Sequence, residues 1–287
     1  MMDRYLLRYF LAIVETGNFS RAAARENVAQ PTLSAGIAKL EAQLQARLFD
    51  RTNRRVHLTE AGSRLLVHAR RIEHEFNLAQ AAVSGVATAE LVRVAVLSTI
   101  PAALIEEILA RRPTGAERLE LLEGSEREVI SLLDRGRVEV ALTTINPSTD
   151  RFGAERLHEE GYGLALPAGH RLAGAEMLDG EALADEVMMV RRHCEVLAQT
   201  SRYFTDRGVR PFFSYRGASD EKVLALVRAG LGITVMPDSY RDPGVARVGL
   251  RGFTPRRVLG ICYAGDVARH RTSGFAQATR EVFGEAN

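Results

Sequence analysis

The sequence predicts a multidomain α+β protein: an N-terminal winged helix-turn-helix, a long helix after it, then α/β sets to the C-terminus. Three observations carry this. Apolar residues recur at helical spacing through the first 85 residues. A helix with a polar start is followed by an arginine-rich stretch, RTNRRVHLTE at 51–60. From residue 91 the pattern switches to short apolar runs such as LVRVAVL, alternating with helical segments.

Leu6, Phe10, Ile13 and Val14 make the inner face of a first helix, and Gly17-Asn18 breaks it. Ser20 is placed to cap a short second helix through Ala22, Ala23 and Ala24, with Phe19 as an apolar anchor. Residues 27–30 read as a turn. A helix follows from Pro31, a first-turn position that tolerates proline, with Leu33, Ile37, Leu40 and Leu44 on one face. The other face starts polar with Gln30, Thr32 and Ser34, then is bare at Ala35 and Gly36. A mid-helix glycine costs about 1 kcal/mol relative to alanine, so something approaches that helix closely. Two helices, a tight turn and a helix with one polar face form the helix-turn-helix pattern.

Arg51, Arg54 and Arg55 crowd a turn at Asn53, and Val56 and Leu58 alternate as in a strand, which reads as a wing. Thr59 is placed to cap a long helix. In it Leu65, Ala69, Ile72, Phe76, Ala79 and Val83 follow at spacings of 4, 3, 4, 3 and 4, a heptad seam suited to a second copy of the chain. Residues 84–88, Ser-Gly-Val-Ala-Thr, read as a hinge.

Beyond the hinge, residues 91–97, 118–124, 138–144, 161–169, 187–190, 232–237 and 257–264 read as strands. Helices fall after Pro101, after Ser125 and after Ser219, with a terminal helix near 271–283. Ser125 and Glu128 form a capping-box pattern. The alternation predicts mainly parallel pairing.

Net charge is only +2, but residues 1–85 hold twelve Arg or Lys against eight Asp or Glu, and the remainder is slightly acidic. That asymmetry suits a nucleic-acid-binding N-terminus. No apolar run reaches the ~18 residues of a membrane span. MMDRYLLRYF lacks a signal-peptide cleavage pattern, so a cytoplasmic location is expected. Two cysteines make no disulfide framework. The seven histidines show no zinc-type spacing, and no nucleophile elbow, P-loop or dinucleotide fingerprint occurs. No catalytic residue, metal site or cofactor is expected.

Residues 1–85 resemble the winged helix-turn-helix of LysR-type transcriptional regulators. The resemblance rests on Leu7-Arg8-Tyr9-Phe10, Gly17-Asn18-Phe19-Ser20-Arg21-Ala22-Ala23, Gln30-Pro31-Thr32-Leu33-Ser34, Ile37 and Leu40-Glu41. It continues through Leu48-Phe49-Asp50-Arg51 and Leu58-Thr59-Glu60-Ala61-Gly62. Residues 91–287 resemble the family's effector part more loosely, through the strand at 91–97, the capping-box helix and residues 229–237.

The resemblance implies a non-enzymatic regulator that binds an interrupted dyad in promoter DNA. Its effector part would be two α/β subdomains of periplasmic-binding-protein-like type, with a small molecule in their cleft. The implied divisions are 1–58 for DNA binding, 59–85 for the linker helix and 86–90 for the hinge. Residues 91–161 with 265–287 would form subdomain I and 162–264 subdomain II. The chain would cross near 161–165 and again near 262–267. Homodimers or homotetramers and contact with RNA polymerase are the implied partners. The family often has a long polar side chain where this chain has Ala35, and rarely glycine at position 36. The backbone would then lie deep in the DNA groove, or Ala35 and Gly36 would pack near the sugars.

The expected DNA contacts are Ser20, Arg21, Gln30, Pro31, Thr32, Ser34, Lys39, Arg51, Arg54 and Arg55. The helix start and wing would reach base edges and phosphates. Helix capping and a solvated loop are the plainer readings of the same residues. Ligands of open α/β sheets bind at strand carboxyl ends. Ser98, Thr99, Thr143, Thr144 and Ser219 are therefore the expected effector contacts, with turn and cap roles as the alternative. Hydroxyls and helix starts suit a small anion such as a carboxylate. Two other functions fit the architecture: a small-molecule-binding protein or enzyme, and a thiol redox sensor using Cys194 beside His193.

Overall fold

The computed structural model describes residues 3–52, 55–84, 91–265 and 267–285. The chain divides into two compact units, 1–90 with 134–137, and 91–133 with 138–287.

The first unit contains α1 (Arg4–Thr16), α2 (Phe19–Arg25), α3 (Gln30–Leu44), β1 (Phe49–Thr52), β2 (Arg55–Leu58) and α4 (Glu60–Ser84). Gly17 adopts the left-handed conformation at φ +62°, and its N–H closes α1 on the Ile13 carbonyl. The cap of α2 is Asn18, not Ser20: the Asn18 side chain accepts from the N–H groups of Ser20 (2.9 Å) and Arg21 (3.1 Å). Ser20 sits two residues too late and stays exposed. Thr59 caps α4 as expected, accepting from Gly62 N at 3.0 Å.

Leu6, Phe10, Ile13, Ala22, Ala23, Leu33, Ile37 and Leu40 interlock as one core, joined by Leu66 and Ala69 of α4. Each fully buried Leu, Ile or Phe there stabilises the unit by about 1.5–3 kcal/mol. The Glu41 carboxylate accepts from Leu48 N (2.8 Å) and Phe49 N (3.4 Å), tying the hairpin to the end of α3. β1 and β2 pair antiparallel from Phe49↔Leu58 to Thr52↔Arg55, the geometry of a wing.

Gly36 answers to the protein's own packing. A Cβ built there would stand 2.7 Å from Tyr9 Cδ2 and 3.4 Å from Leu6 Cδ2, so the missing side chain lets α1 approach α3. Ala35, its neighbour, is exposed. The bareness at 35–36 is two separate features, of which only Ala35 faces outward.

In the second unit the chain runs β3 (Leu91–Leu97), α5 (Ala102–Ala110), β4 (Arg118–Gly124), α6 (Glu126–Asp134), β5 (Val140–Thr144) and β6 (Gly153–Glu160). It continues through β7 (Tyr162–Pro167), β8 (Met177–Leu178), a 3-10 turn (Gly180–Leu183), β9 (Val187–Arg191), α7 (Leu197–Asp206), β10 (Phe212–Gly217) and α8 (Asp220–Arg228). β11 (Thr234–Pro237), β12 (Val245–Leu250), β13 (Arg257–Tyr263), α9 (Val267–His270) and α10 (Gly274–Glu285) complete it.

Two main sheets result, in orders β4-β3-β5-β13-β6 and β11-β7-β12-β8, with β10-β9 as a parallel pair. β3, β4 and β5 are parallel, as expected. β13 and β6 run antiparallel, and so do β7, β11 and β12, so the sheets are mixed rather than mainly parallel. The cause is the double crossing. The first falls at residue 161, between β6 and β7. The second lies between β12 and β13, at 251–256, and not near 262–267 as expected. β13 pairs with β5 and β6 from Arg257 to Tyr263, which assigns 257–264 to subdomain I.

Candidate nucleic-acid interface and effector cleft

The first turn of α3 presents Gln30, Pro31 and Thr32 as exposed side chains, with Ser34 half-buried, and Lys39 is exposed further along the helix. Leu33, Ile37 and Leu40 are fully buried beneath them. No side chain caps this helix; Ala29 stands at the cap position, and Gln30 Nε2 donates to Ser34 Oγ at 2.9 Å. The first-turn N–H groups thus remain directed outward beside polar side chains, the arrangement that favours phosphate and base-edge contact. Arg21 is exposed on α2, donating to the Thr16 carbonyl at 2.6 Å. Arg51 and Arg55 occupy facing strands of the wing, while Arg54 lies outside the described residues.

The expected α4 seam splits in two. Ala69 is fully buried, and Leu65 and Ile72 pack against the same N-terminal core, joined by Leu66, which the heptad reading passed over. Phe76 is 48% exposed and Val83 90% exposed, with Ala79 exposed between them. Arg4 pairs with Glu73 at 2.6 Å and stands 4.7 Å over the Phe76 ring, fixing α1 on α4 up to that point. The seam residues that stay exposed, Phe76, Ala79 and Val83, all lie in the C-terminal half of the helix.

Between the subdomains the decisive residue is Arg257, which opens β13 and is buried. Its Nε donates to Glu160 Oε1 at 2.8 Å, across the Cα register pair at the end of β6. Its Nη1 donates to Thr99 Oγ1 (2.9 Å) and Glu195 Oε1 (2.8 Å), and its Nη2 to the Thr99 carbonyl (3.1 Å). The Thr99 hydroxyl in turn donates to Glu195. Tyr162 Oη donates to the other Glu195 oxygen at 3.2 Å. Burial opposes the charge on Glu195, but Arg257 and Thr99 outweigh it and hold the carboxyl below its ordinary range. Burial likewise opposes the Arg257 charge, and Glu195 and Glu160 overcome it. Two further bridges close the gap: Ser98 Oγ to His193 Nδ1 (3.2 Å) and Ala102 N to Glu221 (2.8 Å).

Beside this network Arg191 and Asp220 form a fully buried pair; Arg191 Nε donates to Asp220 at 2.8 Å and its Nη1 to the Val235 carbonyl at 3.1 Å. Cys194 Sγ lies 3.4 Å from Arg191 Nη1. Burial pushes its thiol up in pKa despite that cation. Cys262 is buried in a different hydrophobic cluster, and both cysteines are free. A cavity of about 760 Å³ lies against α7, lined by Met188, Met189, Cys194, Glu195, Phe204 and Phe213 among others.

Among the expected effector contacts, Thr99 belongs to the network and Ser98 to a bridge. Thr143 and Thr144 are buried and alternate to opposite sides of β5. The Thr143 hydroxyl has no hydrogen-bond partner among the described residues, and the Thr144 hydroxyl accepts from Asn146 at 3.4 Å. Ser219 is the cap of α8, accepting from Lys222 N at 3.3 Å. The residues that sequence reasoning passed over are charged ones: Glu160, Arg191, Glu195 and Arg257. An arginine at the very end of an apolar strand was the available signal, present at Arg257 and Arg191.

No helix among the described residues is long and apolar enough to cross a membrane. Residues 5–63 match the model of bacterial regulatory helix-turn-helix proteins of the lysR family, and residues 85–284 match the LysR substrate binding domain. A probable hydrogen peroxide-inducible genes activator of Mycobacterium avium is 32% identical over 278 residues, covering 92% of this chain and 88% of that protein. The transcriptional regulator XapR of Escherichia coli is 32% identical over 256 residues, covering 85% of this chain and 86% of that one. Full-length OxyR from Pseudomonas aeruginosa shares the fold with a TM-score of 0.70 at 21% identity, over 99% of this chain and 95% of that one. CbnR in complex with its target DNA superposes with a TM-score of 0.56 at 22% identity, over 98% and 100%. The exposed polar α3, the adjoining hairpin, the double-crossover effector unit and these matches agree: the chain belongs to the LysR family of DNA-binding transcriptional regulators.

Proposed function

We propose that this regulator reads an interrupted dyad in promoter DNA as a homodimer or a dimer of dimers, and that a small molecule in the cleft around Thr99 and Arg257 changes how it does so. Support comes chiefly from one observation: Gln30, Thr32, Ser34 and Lys39 stand on the outward face of a helix whose opposite face is fully buried. Inserted in a major groove, that face reaches base edges while Arg21 and the wing arginines meet phosphates. Phe76, Ala79 and Val83 supply the contact between two copies. The cleft is crossed by hydrogen bonds from both subdomains, so a ligand entering it biases their closure. RNA polymerase would sense the altered dimer, in the cytoplasm where promoter DNA lies. No catalytic step is part of this reading. A gel shift on the DNA upstream of the chain's own gene tests it; a salt-sensitive, sequence-selective shift is expected, and its absence overturns it.

A second reading, a thiol sensor, is favoured by Arg191 beside the Cys194 sulfur and by the peroxide-inducible activators among the relatives. Burial, which keeps the thiol protonated, weighs against it. Replacing Cys194 by serine decides: an unchanged DNA response to hydrogen peroxide removes this reading.

A further inference from the structure

The Thr99 hydroxyl, Arg257 Nη1 and Tyr162 Oη all donate toward one place between the subdomains, and the Glu195 carboxylate fills it. Thr99 and Arg257 belong to subdomain I. Glu195 rides on the loop between β9 and α7 of subdomain II. We propose that Glu195 is a tethered carboxylate ligand of this seat, a built-in competitor that decides which effectors the cleft accepts. The inference rests on the reading of the cleft as the effector site.

Charge and geometry carry it. Arg257 already serves two carboxylates, and a third cannot join a buried site holding a single guanidinium without displacing one of them. Glu160 is not the one to leave. It accepts from Ser239 N (2.5 Å) and Ser239 Oγ (3.1 Å), and it faces Arg257 across the β6–β13 ladder. Glu195 comes from the opposite subdomain and is held by donors that would serve any carboxylate equally well. A tethered group also acts at an effective concentration of about millimolar or higher, so a small free acid competes poorly. The intact chain is therefore closed to simple carboxylates, and truncating residue 195 turns the seat into a site for them.

The test compares wild type, Glu195→Ala and Glu195→Gln by thermal melting in sodium acetate and in sodium chloride of equal ionic strength. Glu195→Ala is expected to melt below wild type and to gain about 3–5 °C in acetate at roughly tenfold its dissociation constant. Wild type and Glu195→Gln, whose seats are filled, respond to acetate no more than to chloride. Adding Thr99→Val to Glu195→Ala removes the gain. The proposal fails if acetate raises wild type as much as Glu195→Ala, or if folded Glu195→Ala treats both salts alike. Should Glu195→Ala not fold unaided, refolding yields in the two salts replace melting: a higher yield in acetate supports the proposal and equal yields overturn it. Failure of the effector-cleft reading looks different: acetate would rescue stability yet leave the promoter affinity of Glu195→Ala unchanged.

Discussion

Gln30, Thr32, Ser34 and Lys39 share one fifteen-residue helix, whereas Thr99 and Arg257 touch across 158 positions of chain. The two surfaces differ in consequence as well as in construction. The exposed side chains of α3 project from a face whose rigidity comes from Leu33, Ile37 and Leu40 behind it. They are free to change without disturbing the fold. In the cleft, each polar side chain is also structural, because a buried charge without its partner is costly. One region separates recognition from stability; the other merges them.

Breaking the merged region should produce the largest effect. Asp220→Ala leaves the buried Arg191 guanidinium without its carboxylate, and a loss of about 3–5 kcal/mol is expected in denaturant unfolding of the effector unit. A change below 1 kcal/mol would show that the pair carries no more than a surface ion pair does. Next comes the exposed half of α4. Phe76→Asp removes an apolar contact of about 1.5–3 kcal/mol per copy, so sedimentation should show at least about a tenfold rise in the dimer dissociation constant.

The separable region should respond in binding alone. Thr32→Ala is expected to cost about 1–3 kcal/mol of operator affinity if Thr32 meets a base edge, with the melting temperature unmoved. A parallel fall in melting temperature would show that recognition and stability are coupled there too. The smallest effect is in pH. Glu195 is held below its ordinary range, so its contribution is fully present at neutral pH and is lost as pH falls through the folded-state value. The melting-temperature gap between wild type and Glu195→Gln should therefore close on acidification; a gap constant with pH contradicts the assigned ion pair.

The helices of the first unit were legible because their apolar period and their caps are local. The Asn18 cap was misplaced by two residues because Asn18 and Ser20 are both good capping residues, and only backbone geometry chooses between them. Gly36 was read as a mark of DNA approach because a sequence shows that space is needed and not which neighbour needs it; the neighbour is Tyr9. In the second unit β6, with sequence GAERLHEE, hides its strand character in charge because it lies at the edge of its sheet. The return crossing was placed late because an apolar run such as RVLGICYA does not reveal which of two sheets it joins.

By itself the sequence determined the helix-turn-helix with its wing, the α/β character of the rest and the family. Each of these depends on residues close together in the chain, where spacing alone fixes which side chains share a face. Tertiary structure alone decided which seam residues of α4 are buried, which subdomain owns β13, and that Arg257, Glu195, Glu160 and Thr99 meet. Their meeting depends on where two crossings bring distant strand ends, and a buried charge finds its partner through that topology rather than through any local pattern.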